Sequence, residues 1–177
     1  FGYAFGTHAP GKVLVFDSFP VTHHVLLAHG LGVQVVRAAV PGAQVGITHN
    51  LSPVLPLTDS PQDAAAAQAL DAIQNRTYLD PCLLGRYPDP DETRIPVDRS
   101  CIHEGDLETI AAPIDVLGVN YYNPTTVTAP GEGNPFPFEI VPMLDGYEQT
   151  DMGWPVVPSG LRDLLVGLHE QYADKLP

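Results

Sequence analysis

The stretch IDVLGVNYYNPTTV, from Ile114 to Val127, decides how the rest of the chain is read. Its first part, Ile114 to Asn120, is short, mostly apolar and bounded by turn residues. That is the pattern of a strand buried in a parallel sheet. It stops in a polar, aromatic cluster, Asn120-Tyr121-Tyr122-Asn123, followed by Pro124. A second run of the same kind, AQVGITHN from Ala43 to Asn50, follows the Pro41-Gly42 turn and also ends in an amide.

Helical patterns flank both runs. From Val21 to Ala39 apolar side chains recur at helical spacing (Val25, Leu26, His29, Val33, Val36), with Thr22 as the expected N-cap and Pro41-Gly42 as the stop. A second helix is expected from the Ser60 cap, with Pro61 in its first turn and Asp63 near the positive end of the dipole. It runs through Leu70 and Ile73 towards Leu84 and must tolerate or break at Pro81. A short helix is expected over Glu104 to Ala111. A last, amphipathic one covers Pro158 to Ala173, with Leu161, Leu164, Leu165 and Leu168 on one face. Residues 1–20 read as loop, with a turn at His8-Ala9-Pro10-Gly11, and residues 87–98 as proline- and acid-rich loop. Residues 123–157 read as one long irregular loop, a length that usually signals function or disorder.

Strands alternating with helices argue for an α/β chain with a parallel sheet and helical crossovers. Two strands neither make a doubly wound sheet nor close a barrel, so the expected fold is a partial one. In α/β folds ligands gather at the carboxyl ends of parallel strands. Both strands end there in amides, Asn50 and Asn120, and side-chain alternation predicts that Asn120 and Tyr122 face the same way. An amide beside a phenol suits a hydroxyl-rich ligand such as a sugar; it equally suits the satisfaction of buried backbone groups, and spacing does not choose between the two.

Composition narrows the partners. Eight Lys and Arg against 21 Asp and Glu give a formal net charge of −13, which argues against nucleic acid and against an anionic membrane surface. No apolar run approaches the ~18 residues of a membrane span, and no basic-then-apolar leader opens the sequence as given. The first residue is Phe1, so the chain is expected to be processed or to be a piece of a longer one. Cys82 and Cys101 have no metal or redox spacing; two reduced thiols in a cytoplasmic protein is the ordinary reading, with one disulfide the other. His23, His24 and His29 share a helix but not the i, i+4 spacing that converges metal ligands, so no metal is expected. No nucleotide-binding glycine loop and no serine-hydrolase elbow is present.

The chain resembles glycoside hydrolase family 1, the β-glucosidase family. The likeness rests on six segments in the family's order: HAPG; HHVLLAHGLGVQVVRA; GAQVGITHNLSPVLP; NRTYLDPCLLGRYP; IDVLGVNYYNPTTV; and DMGWPVVPSGLRDLL. The resemblance implies a (β/α)₈ TIM barrel, of which residues 43–50 and 114–120 look like strands five and six with helices four to six, the whole of residues 1–177 forming one incomplete barrel segment. It implies retaining cleavage of β-glycosides by two glutamates about 5–5.5 Å apart. One belongs to an Asn-Glu-Pro motif and the other to a Thr-Glu-Asn-Gly-like motif. The glutamates here are Glu92, Glu104, Glu108, Glu132, Glu139, Glu148 and Glu170, and none lies in either motif. The sequence therefore looks like the stretch between the two catalytic carboxylates, containing neither and expected to be inactive by itself.

By the same resemblance, Tyr122 matches the tyrosine that hydrogen-bonds the nucleophile, and Asn120 lies near the acid/base. Asn50 matches a position on the aglycone side, next to a His49 where an apolar residue is more usual. Trp154 would either stack on a sugar ring or anchor a turn, and His8 is expected to be structural. A β-glucoside or other small glycoside is the expected substrate, with no cofactor, because two carboxylates and water suffice. The alternative is a non-catalytic carbohydrate-binding relic, which would have to expose unpaired strand edges. Sugar preference, aglycone preference and oligomeric state are not legible.

Overall fold

The computed structural model describes residues 2–142 and 146–177. A 3₁₀ turn, Val15–Ser18, leads into α1, Phe19–Ala39. The helix starts two residues before the expected point, with Ser18 at its cap position, because the fixed φ of Pro20 suits a first helical turn. Thr22 is inside the helix and caps nothing. The last helical bond runs from the Val40 amide to the Val36 carbonyl, ahead of Pro41-Gly42 as expected.

The buried stripe of α1 is Phe19, His23, Leu26, Gly30 and Val33, spaced four, three, four and three residues apart. Leu26 and Val33 were expected on it, but Val25 is 62% exposed and Val36 38%. The stripe is displaced because α1 presents Gly30 to the short helix α5, Asp106–Ile110. A Cβ on Gly30 would lie 2.0 Å from the Thr109 carbonyl oxygen. His23, fully buried, bridges the same contact: Nδ1 meets the Tyr87 hydroxyl and Nε2 meets Asp106 Oδ2, each at 3.0 Å.

Strand β1 spans Gly46–Asn50 and is followed by β2, Val54–Pro56. Helix α2, Pro61–Asp71, has the expected cap, Ser60 Oγ accepting from the Asp63 amide at 3.1 Å. It continues through a π turn, Ala72–Arg76, into α3, Thr77–Leu84. Pro81 lies inside α3 and is tolerated; Leu79, Asp80, Cys82 and Leu83 around it are all buried, so tertiary packing outweighs the lost backbone bond. A one-turn helix, α4 (Pro90–Thr93), precedes α5 in the expected loop. Then come β3, Val116–Asn120, β4, Thr125–Thr128, β5, Glu139–Val141, and α6, Pro158–Tyr172.

β1 and β3 pair in parallel and in register, Gly46 opposite Val116 through Asn50 opposite Asn120. The helical crossover between them is the expected one. Residues 123–157 are not one irregular loop, however: β4 pairs parallel to β2 and antiparallel to β5 in a second, three-stranded sheet. Val127 of β4 packs on Ala66, Ala67 and Leu70 of α2. The main core lies on the helix side of the first sheet, where Ile47 joins Phe19, Leu26, Cys82, Tyr87 and Ile110. Leu117 and Val119 join Leu51, Leu79, Leu83, Leu168 and Tyr172. Of the expected apolar face of α6, Leu168 is buried and Leu164 half-buried, while Leu161 and Leu165 are exposed.

Asp80 is fully buried and ties three elements together. It accepts from the Tyr172 hydroxyl of α6 at 2.6 Å and from Arg76 at 3.1 Å, and Arg76 also pairs with Glu92 of α4 at 2.5 Å. Tyr172→Phe leaves part of this carboxylate without a donor, so urea unfolding is expected to lose about 1–3 kcal/mol. A paired glycine test addresses the α1–α5 contact. Gly30→Ala destabilises by about 1–3 kcal/mol through overpacking, whereas Gly32→Ala, which faces open space, stabilises by about 0.5–1 kcal/mol. Equal effects at the two positions would contradict the packing described.

Candidate active-site wall

The two faces of the β1–β3 pair differ. Ile47, His49, Leu117 and Val119 point to the helices. Alternation puts Gly46, Thr48 and Asn50 of one strand beside Val116, Gly118 and Asn120 of the other on the opposite face. That face carries no helix, and Asn50 and Asn120 are exposed where both strands end.

Past Asn120 the chain continues to alternate. Tyr121 turns inward and its hydroxyl donates to the Val157 carbonyl at 2.7 Å. Tyr122 turns outward and is 53% exposed. Its ring meets Trp154 edge to face, 5.1 Å between centroids and 75° between planes. Trp154 is itself 42% exposed, so it is a surface ring beside the strand end and not a buried anchor. Thus Asn50, Asn120, Tyr122 and Trp154 are all accessible; the structure pairs the first two in register and brings the last two into contact.

A hydrogen-bonded staple behind these residues was not visible in the sequence. The Leu51 amide donates to the Asn120 carbonyl at 2.9 Å, and Ser52 Oγ donates to the Asn123 carbonyl at 2.5 Å. Asn75, in the π turn, clamps Ser52 from both sides: it accepts from the Ser52 amide at 3.2 Å and donates to the Ser52 carbonyl at 2.9 Å. It also donates to Asp71 Oδ1 at 2.7 Å, and burial pushes the Asp71 carboxyl up. The wider i→i+5 turn presents Asn75 to the strand end, a common use of a π bulge. The available sequence signal was Asp71 and Asn75, polar and one helical turn apart on an otherwise apolar face.

His49, beside Asn50, is on the helix face, 6% exposed, and its Nε2 has no hydrogen-bond partner among the described residues. Burial, and secondarily the nearby His29, depress its pKa to about 4. The three histidines of α1 do not converge. His23 binds Tyr87 and Asp106, and His24 Nδ1 donates to the Pro20 carbonyl at 2.6 Å. No group of three potential metal ligands occurs among the described residues.

The comparisons with known proteins agree with this geometry. The model of glycosyl hydrolase family 1 matches residues 1–177, and the chain belongs to that family. It is 35% identical to beta-glucosidase A of Acetivibrio thermocellus over 176 residues, 97% of this chain and 39% of that protein. It is 40% identical to thermostable beta-glucosidase B of Thermobispora bispora, over 93% of this chain and 34% of that protein. The crystal structure of the GH1 beta-glucosidase from Exiguobacterium antarcticum superposes with a TM-score of 0.87 at 35% identity, over 99% of this chain and 39% of that one. The virulence factor SghA in complex with its substrate analog salicin gives 0.86 at 32% identity, over 99% and 38%. The chain thus spans about two fifths of the relatives it matches, and the two-stranded sheet with its helices is a part of their barrel.

The neutral burial of His49 sets a pH dependence. The folded state binds fewer protons at this ring than the unfolded state between the ordinary histidine value near 6.5 and about 4. Stability from this group is therefore present above about pH 6.5 and lost as pH falls through that window, by about 3 kcal/mol in all. Urea melts from pH 7 to pH 4 are expected to show that slope and to lose it in His49→Gln; an unchanged slope in the variant would refute the assignment.

Proposed function

We propose that this chain forms the part of a retaining β-glycosidase that lies between its two catalytic glutamates, with β1 and β3 as barrel strands five and six and residues 1–177 as one incomplete domain. The observation that carries the reading is the in-register pair Asn50–Asn120 on the open face, next to the exposed rings of Tyr122 and Trp154. The family membership and the two-fifths span support it. A mainly apolar groove beside β3, lined by Val116, Leu117, Val119, Leu165 and Leu168 together with Asp115 and the last residues Leu176 and Pro177, has room for a further element beside the strand, which supports the reading. It also accounts for the exposed Leu165.

In this reading the Tyr122 hydroxyl donates to the nucleophile carboxylate supplied by flanking sequence. A phenol donor favours the charged form of that carboxylate and fixes its orientation for attack at the anomeric carbon. Asn120 contacts the sugar near the acid/base glutamate. Asn50 and Trp154 border the leaving-group side, Trp154 through its ring face. The substrate is a β-glucoside or other small glycoside. The relatives' names and the salicin-analog complex of SghA support that class. Two carboxylates and water supply the chemistry, so no cofactor is invoked. The acidic composition supports neither a nucleic-acid nor a membrane partner, and no described helix is long and apolar enough to cross a membrane. Cys82 and Cys101 are both free, which supports a cytoplasmic location.

The 177-residue chain by itself is expected to release no nitrophenol from nitrophenyl β-glucoside. Joined to segments bearing the two family glutamate motifs it is expected to do so, with Tyr122→Phe lowering kcat by about tenfold to a hundredfold, the value of a hydrogen bond to a charged group. Hydrolysis by the unjoined chain, or an unchanged kcat in Tyr122→Phe, would overturn the proposal.

A further inference from the structure

Tyr121 belongs to the Asn120–Asn123 cluster, and the proposed function gives it no task. Its hydroxyl bonds the carbonyl of Val157, a buried residue at the cap of α6. Its ring fills the space over the first turn of that helix: a Cβ on Gly160 would lie 2.2 Å from the Tyr121 hydroxyl oxygen and 3.0 Å from Pro124 Cγ. Only a glycine admits the tyrosine there.

Trp154 sits three residues before Val157, on a turn closed largely on itself. The Thr150 amide donates to the Trp154 carbonyl at 2.9 Å, the Gly153 amide to the Thr150 carbonyl at 2.8 Å, and the Trp154 amide to Thr150 Oγ1 at 3.2 Å. The Val156 amide closes the same turn on the Glu148 carbonyl at 2.8 Å. These bonds are internal to the turn, and among the described residues it is tied to the β3 end by the Tyr121–Val157 bond together with the Trp154–Tyr122 ring contact.

We infer that Tyr121 is a positioning residue: through Val157 and Gly160 it holds the Trp154 turn against Tyr122 and so fixes where the Trp154 ring stands. In the proposed enzyme that ring borders the leaving group, so Tyr121 would govern aglycone acceptance without touching substrate. This consequence rests on the proposed function; the positioning itself does not.

Trp154 is the only tryptophan in the chain, so its emission reports the contact directly. Tyr121→Phe removes one hydrogen bond and is expected to shift the ratio of docked to undocked turn by about fivefold. The readouts are a red-shifted emission and increased acrylamide quenching, moving towards the values of Tyr122→Leu, which removes the contacting ring. Gly160→Ala is expected to do the same, and Gly167→Ala, whose Cβ meets nothing within 4 Å, to leave emission unchanged. All variants are compared at temperatures of equal folded fraction. Unchanged quenching in Tyr121→Phe would overturn the inference, as would wild-type emission indistinguishable from that of the urea-unfolded chain. In the joined enzyme the same variant should raise KM for nitrophenyl β-glucoside with kcat nearly unchanged. Absence of any hydrolysis there would count against the proposed function and leave the fluorescence result standing.

Discussion

The structure depends on the parallel, in-register pairing of β1 with β3. A shift of one residue would exchange the faces of a strand, burying Asn120 among leucines and exposing Leu117 and Val119. The register is held at both ends. The Asp115 amide bonds the Val45 carbonyl at 2.7 Å before the strands, and the Leu51 amide bonds the Asn120 carbonyl after them. The Asp115 carboxylate adds a second tie at the entry, accepting from the Val45 amide at 2.8 Å and from Arg37 at 2.9 Å. Two unlike faces follow from this register: an apolar one committed to helices, and one that ends in paired amides.

Polar groups on the helix side, buried or half-buried, serve the same geometry. Asp80, Arg76, Glu92 and Tyr172 fasten α3, α4 and α6 to one another, and Asn75 carries that fixed frame to Ser52 at the end of β1. Each of these groups makes hydrogen bonds, although the buried Nε of Arg76 has no partner among the described residues; the bonds offset the cost of burial and make loss of one partner more harmful than loss of both. The strand ends are thus held from behind by side chains that never reach the open face.

Much of this was legible in the residues. The two strands announced themselves because a strand of a parallel sheet favours an apolar, β-branched run, and GITHN and VLGVN lie within such runs; the expected burial is not met, since only His49 of their ten residues is buried and one face of the pair carries no helix. Ser60, Pro61 and Asp63 marked the start of α2 for reasons of capping and φ. The second sheet was illegible: β2 and β5 have three residues each, β2 ends in a proline, and so short a strand shows no period. The stripe of α1 was placed a few residues off because a glycine, silent in any hydrophobic pattern, is what contacts α5. Asn120 and Tyr122 were read as facing the same way, and both side chains are exposed. The opposite turn of Tyr121 followed from the same alternation, but its partner, Val157, is 36 residues away and no local pattern points to it.

The central claim is that the open face of the β1–β3 pair is the one that meets sugar. The most direct measurement is an NMR titration of the chain, joined to its glutamate-bearing flanks, with a thio-linked β-glucoside that resists hydrolysis. The account predicts that the side-chain amide signals of Asn50 and Asn120 and the indole signal of Trp154 move together with a single saturation curve, while the His23 and Asn75 signals stay in place. Saturable binding that leaves Asn50 and Asn120 unmoved would contradict it.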